Sequence, residues 1–254
     1  MTITTLNSTE SSVLLSGYVT GHTSNVRDIW PISATTARIN IPESLRLMTI
    51  SSSSVNDAIT GTGARVVNIS GISGGRLFAE IIQMDGRTGV TTVNAYTSIL
   101  SIEVVETGVL GSNDGVIYVG SGTVSSGVPA TPYCAMRAST GSAETLSFTV
   151  PVSYEFEVEH VTIIPKTIGT TSFTWGIEQQ TNAPFYTRTP VQQKRVLRYN
   201  AMYRDDRHAE THFKYPLLFR GGQVFTMQVS DLNSNGDIIA QVEGKLKYTG
   251  TDDT

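Results

Sequence analysis

Apolar and polar residues alternate with a period of two through much of the chain. Leu146, Phe148 and Val150 alternate with Thr145, Ser147 and Thr149, and Tyr154, Phe156 and Val158 with Glu155, Glu157 and Glu159. Phe173, Trp175 and Ile177 alternate with Thr174, Gly176 and Glu178. Farther on, Ile238, Ala240, Val242, Gly244, Leu246 and Tyr248 share one parity, and Gln241, Glu243, Lys245 and Lys247 the other. Successive side chains of a strand point to opposite faces, so this pattern predicts half-buried strands in one-sided antiparallel sheets. After Val158 the parity flips, with Val161 and Ile163 as the next apolar pair, which predicts a bulge near His160.

The first half holds shorter candidate strands at Leu45–Ser51, Ala64–Ser70, Arg76–Met84, Gly89–Asn94, Ile99–Glu106 and Gly115–Val119. Turn signals divide them: Gly61-Thr62-Gly63, Ser73-Gly74-Gly75, Asp85-Gly86 and Ser112-Asn113-Asp114-Gly115. About ten residues per strand and turn fits a sandwich or barrel. The expected architecture is all-β: two antiparallel β-sandwich, jelly-roll-like domains. A polar N-terminal arm covers 1–25 and a Ser/Thr/Gly-rich sandwich 26–122. A linker covers 123–132, within the charge-free stretch Gly120–Pro132, and a second sandwich 133–254. Val191–Tyr203 reads either as a helix or as a strand followed by a turn at Tyr199-Asn200.

Composition narrows the classes. Ser and Thr make up 60 of 254 residues, 43 of them in the first 150, while only 16% of residues are charged and 39% are hydrophobic. A disordered chain would carry more charge, and a coiled coil more Ala, Glu, Lys and Leu. No apolar run reaches the roughly 18 residues of a membrane-spanning helix. Met1-Thr2-Ile3-Thr4-Thr5 does not read as a secretory leader. The single cysteine, Cys134, excludes an internal disulfide and a cysteine-rich zinc module, and reads as a small buried hydrophobe. A net charge of −4 gives no global pull toward nucleic acid or an anionic membrane.

Candidate chemistry is thin. His208, Glu210 and His212 would share one face of a strand, where two imidazoles and a carboxylate suit zinc or iron. Alternating polar residues on a solvated face need no metal, so no cofactor is expected. Arg188, Lys194, Arg195, Arg198, Arg204, Arg207, Lys214 and Arg220 form a basic region interleaved with Tyr186, Tyr199, Tyr203 and Tyr215. That suits a nucleic-acid groove or a rim that pairs with an acidic neighbour, and the acidic remainder of the chain favours the neighbour. Val13, Leu14 and Leu15 in the arm are expected to bury against another copy. Tyr186 and Tyr203 are candidates for stacking on a glycan, whereas Trp175, on an alternating strand, reads as core. Gly61-Thr62-Gly63-Ala64-Arg65 lacks the third glycine and the helix of a dinucleotide loop and reads as a turn. No nucleophile elbow or acid/base couple stands out.

One block has a family likeness. Ser51-Ser52-Ser53-Ser54-Val55-Asn56-Asp57 is followed by Gly61-Thr62-Gly63-Ala64-Arg65-Val66-Val67 and Gly71. Then come Gly89-Val90-Thr91-Thr92-Val93-Asn94, Gly111-Ser112-Asn113 and Gly115-Val116-Ile117. This order, over roughly residues 28–120, resembles virion structural proteins of tailed phages, especially aquatic and marine ones, that carry a GTGAR-type β domain. The resemblance implies a non-enzymatic virion component on the capsid, neck or tail, made in the host cytoplasm and acting by assembly. Its partners would be its own copies and other virion proteins, with no membrane. A receptor- or glycan-binding fibre module is the alternative.

Overall fold

A computed structural model of the chain describes residues 2–4, 10–19, 27–29, 40, 42, 44–74, 76–165, 172–181, 194–204, 209–230 and 238–250. Among these residues there are strands and no helix. They are β1 (Thr2–Thr4), β2 (Glu10–Val19), β3 (Arg27–Asp28), β4 (Arg46–Ser52), β5 (Ala64–Ser73) and β6 (Arg76–Gln83). Next come β7 (Val90–Tyr96), β8 (Ser98–Thr107), β9 (Ile117–Ser125), β10 (Val128–Met136), β11 (Ser142–Glu144) and β12 (Ser147–Thr149). The last are β13 (Tyr154–Pro165), β14 (Ser172–Thr181), β15 (Lys194–Arg204), β16 (Ala209–Arg220), β17 (Gln223–Ser230) and β18 (Ile238–Tyr248). The all-β architecture expected from the alternation is the one observed.

The domain plan differs from the expected one. Unit 1 comprises Met1–Ile29, Ser33–Arg38 and Leu146–Thr254, and unit 2 comprises Trp30–Ile32 and Ile39–Thr145. Unit 2 interrupts the sequence of unit 1, so the two are nested rather than in tandem. The expected linker at 123–132 is a hairpin inside unit 2: β9 pairs antiparallel with β10 from Ile117↔Met136 to Ser125↔Val128. Its two-residue turn, Ser126-Gly127, has positive φ at both positions (49° and 82°), as a type I′ hairpin requires. A Cβ on Gly127 would stand 1.9 Å from the Ser52 carbonyl oxygen, so glycine is needed there for space as well.

Unit 1 holds two sheets, ordered β1-β2-β18-β13-β16 and β12-β17-β14-β15, with β3 pairing β17. Numbering β2 and β12 to β18 from first to eighth, one sheet runs first, eighth, third, sixth and the other second, seventh, fourth, fifth. That is the jelly-roll order, two interlocked Greek keys. Residues 10–19 of the expected N-terminal arm are therefore a strand of the fold. β2 pairs with β18 over ten residues, from Glu10↔Lys247 to Val19↔Ile238, and Val13, Leu15 and Val19 are buried in unit 1. Two expected assembly residues, Val13 and Leu15, thus serve this chain's own core, because period-two alternation turns them inward. β18 lies between β2 and β13 and is not an edge.

Phe156 on β13, Phe219 on β16 and Phe225 on β17 join the two sheets of unit 1. The Phe156–Phe225 and Phe219–Phe225 rings meet edge to face, at 5.5 and 5.3 Å and 83° each. That geometry is the favoured one for aromatic pairs. The bulge foreseen from the parity flip is present: the register slips between Val158 and His160 against both β16 and β18. The segment read as helix or strand is β15, laddered to β14 from Thr181↔Lys194 to Ser172↔Arg204. Helix propensities of Lys, Arg and Gln differ by fractions of a kcal/mol, less than a full ladder supplies.

Unit 2 is a second sandwich, with sheets β10-β9-β4-β7 and β11-β8-β5-β6. Its core is drawn from both sheets and includes Met48, Ile50, Val67, Ile69, Tyr96, Ile102, Ile117 and Cys134. One end is fastened by the buried carboxylate of Asp57. Oδ1 accepts from the backbone N–H of Ala64 and of Asp114, each at 2.8 Å. Oδ2 accepts from Ser52 Oγ at 2.5 Å and Gly115 N–H at 2.8 Å. Four donors satisfy a charge that burial would otherwise penalise. The glycines make room for it, since a Cβ on Gly63 would stand 2.1 Å from Asp57 Oδ1. Replacing Asp57 by Asn puts an NH2 where an oxygen accepted. Ser52 can rotate its hydroxyl to compensate, but a backbone N–H cannot. Asp57→Asn should therefore cost about 2 kcal/mol or more, read as a lower denaturant midpoint. Asp114→Asn, at an exposed carboxylate, should leave the midpoint nearly unchanged.

Candidate functional site

The outer face of the sheet containing β13 carries a row of ion pairs and two histidines. Val161 and Ile163 point into the core, so the bulge leaves His160 and Thr162 on the outer face. On β18, Lys245 reaches Glu159 at 3.0 Å and Glu10 at 3.4 Å, and Lys247 reaches Glu157 at 2.8 Å. Arg220 lies 3.7 Å from Glu155. These pairs are half exposed and each contributes little to stability, but they order the face.

Along this face β13 and β16 bring two histidines together. His160 is the direct register partner of His212, and Thr162 that of Glu210. The His160 and His212 rings stack at 3.9 Å, 5° from parallel. Glu243 Oε2, on β18, lies 3.6 Å from His160 Nδ1, and Thr162 Oγ1 lies 3.5 Å from His160 Nε2. Ligand atoms of His160, Glu210 and His212 lie within 4.8 Å of one another.

Of the expected trio, Glu210 and His212 thus share a face as foreseen, while His208 lies outside the described residues. The histidine that meets them is His160, fifty residues upstream. The parity flip at Val158 was its signal, because it marked where β13 turns a new residue outward. The basic residues Lys194, Arg195, Arg198 and Arg204 lie on β15, which ends its sheet. The register slip between Ile177 and Glu178 leaves Arg198 as the extra residue of the bulge. Arg188, Arg207 and Tyr186 lie outside the described residues, and Tyr203 pairs with Phe173 on the β14–β15 ladder. Leu14 is half-buried and Trp175 is buried.

Other titratable groups serve the fold. Burial alone would push the Glu80 carboxyl up, but bonds from Val93 N–H, Asn94 N–H, Asn94 Nδ2 and Tyr96 Oη outweigh it and hold the group below its usual 4.5. Burial, and then the Glu80 charge, push the Tyr96 phenol upward. Hydrogen bonds from Ser54 Oγ and Asn56 Nδ2 hold Asp114 low. Burial pushes the Cys134 thiol up to about 12, so it is neither a nucleophile nor a thiolate ligand at neutral pH.

No protein family and no curated protein matches the chain. Among solved structures, a chain in "Structure of infectious bursal disease virus Gt strain" is 7% identical. That comparison covers 96% of this chain and 80% of that one at a TM-score of 0.12, too slight a likeness to bear on fold or function.

Two outcomes follow from the titratable groups. The folded-state value of Glu80 is depressed, so its contribution to stability is complete well above pH 4.5 and fades as pH falls through the lower folded value. The gap in unfolding midpoint between the native chain and Glu80→Gln should be widest near about pH 7 and close in acid. A thiol reagent should label Cys134 at the rate of unfolding, and added denaturant should raise that rate steeply.

Proposed function

We propose that the chain is a non-enzymatic structural component of a tailed-phage virion. It would be a capsid decoration, a neck protein or a tail or fibre accessory, working by packing against copies of itself and other virion proteins. One observation carries the reading: the loop end of unit 2 is tied together by hydrogen bonds and yet carries exposed apolar side chains. The Asp57 carboxylate ties the start of β5 to the loop before β9, and Leu110 N–H and Gly108 N–H donate to Thr62 and Gly63 carbonyls. On these fastened loops Val109 is 87% exposed and Val55 64%, with Ile59 and Leu110 also exposed. Apolar side chains held still at loop tips lose little entropy on docking and gain from being covered.

The segments that resemble phage virion proteins are the ones that build this end: the serine block with Asp57, the GTGAR turn, and the Asn113–Gly115 turn. Asn113 belongs to the same fastening. Its Nδ2 donates to the Gly115 carbonyl at 2.7 Å and the Arg137 carbonyl at 2.6 Å. Elsewhere, the edge strand β15 carries four basic residues, which discourage strand addition.

The triple variant Val55→Ser, Val109→Ser, Leu110→Ser tests this reading. It removes apolar surface worth about 3 kcal/mol if covered, so its occupancy in purified particles should fall more than tenfold. Its melting temperature should stay close to that of the native chain. Native occupancy by the triple variant, or a chain absent from particles altogether, would contradict the reading.

A further inference from the structure

We infer that His160, Glu210 and His212 form a binding site for a divalent transition-metal ion of the zinc class on the outer face of the unit 1 jelly roll. The donors come from an i, i+2 pair on one strand, Glu210 and His212, and a residue directly across on the next strand, His160. Three side chains at these positions of a pleated sheet project from one face. Their ligand atoms already lie within 4.8 Å of each other. Two imidazoles and a carboxylate suit zinc, cobalt or nickel, and three protein ligands leave a fourth position for water.

The surroundings fit a ligand role for His160. The bulge between Val158 and His160 turns the imidazole outward while Val161 and Ile163 stay in the core. Bulges commonly re-aim a side chain at a site. Glu243 stands 3.6 Å from Nδ1, where an outer carboxylate can orient a ligating imidazole. Nε2 faces Thr162, the register partner of Glu210. The two rings are stacked 5° from parallel, and parallel rings cannot both hold one ion in plane. Loading must therefore turn a ring out of the stack. His212, exposed on the edge strand β16, is the one with room to turn. The site lies on the face opposite the core, so the ion is not required for folding.

The test is zinc binding to the full chain after dialysis against a chelator, followed by calorimetry with zinc chloride and by cobalt spectroscopy. One equivalent of zinc should bind, and cobalt should give the strong visible bands of a four-coordinate site. His160→Gln and His212→Ala should each weaken binding at least tenfold with an unchanged circular dichroism spectrum. Glu243→Gln should weaken it by about tenfold, the usual size for a group that orients a ligand. Should His160→Gln fail to fold, His212→Ala on the exposed strand carries the test by itself. No binding at about 100 μM zinc, above the affinities expected of a specific site, would overturn the inference. So would binding that survives His160→Gln but is lost in His208→Ala.

Discussion

The pairing of β2 with β18 is the contact on which unit 1 depends. The last strand of the chain runs between the N-terminal strand and β13, and neither of its ladders forms until more than two hundred residues have been made. Such a pairing is non-local, so its loop-closure cost is met late and its sheet is slow to form. It also fixes what the N-terminal residues can do. Val13, Leu15 and Val19 fill the core and are not a sticky arm held out to a neighbour. A Cβ on Gly17 would meet Leu146 Cγ at 2.8 Å, which shows how closely β2 approaches the segment that resumes unit 1 after the insertion.

Unit 2 is held by a different device. Its sandwich core is conventional, but its loop end is organised by one buried carboxyl group with four donors around it. Hydrogen bonds to a buried charge are strong and directional, so a few residues can fix several loops without adding apolar mass. That leaves the outer surface of those loops free to carry apolar side chains. A fold of this class supports many functions, and the proposal of assembly rests on this surface rather than on the jelly roll as such.

Much of the fold was legible in the sequence, for physical reasons that also explain the failures. Period two identified β13, β14 and β18, and the slip in that period located the bulge at His160. Turn chemistry separated β5 from β6, where Gly74 has positive φ, and marked Asp85-Gly86, where Gly86 does. The stretch from Gly120 to Pro132 was misread because glycine and proline interrupt its alternation. β10 is the edge of its sheet, where a residue without an N–H costs no ladder bond, and its register slips fall between Pro129 and Thr131 and between Pro132 and Cys134. The β2–β18 ladder, the nesting of the two units and the His160–His212 stack are all long-range pairings. A local pattern states which face a residue occupies, but not which residue stands opposite it.

Hydrogen exchange along β2 separates a strand of the fold from an arm that waits for a partner. With the isolated chain at low micromolar concentration, amides of Ser12 to Tyr18 that ladder to β18 should be protected to the same degree as those of β13. Their protection should not change when the chain enters particles. Rapid exchange of β2 in the isolated chain, with protection gained only on assembly, would mean that the jelly roll is not closed by its own N-terminal strand.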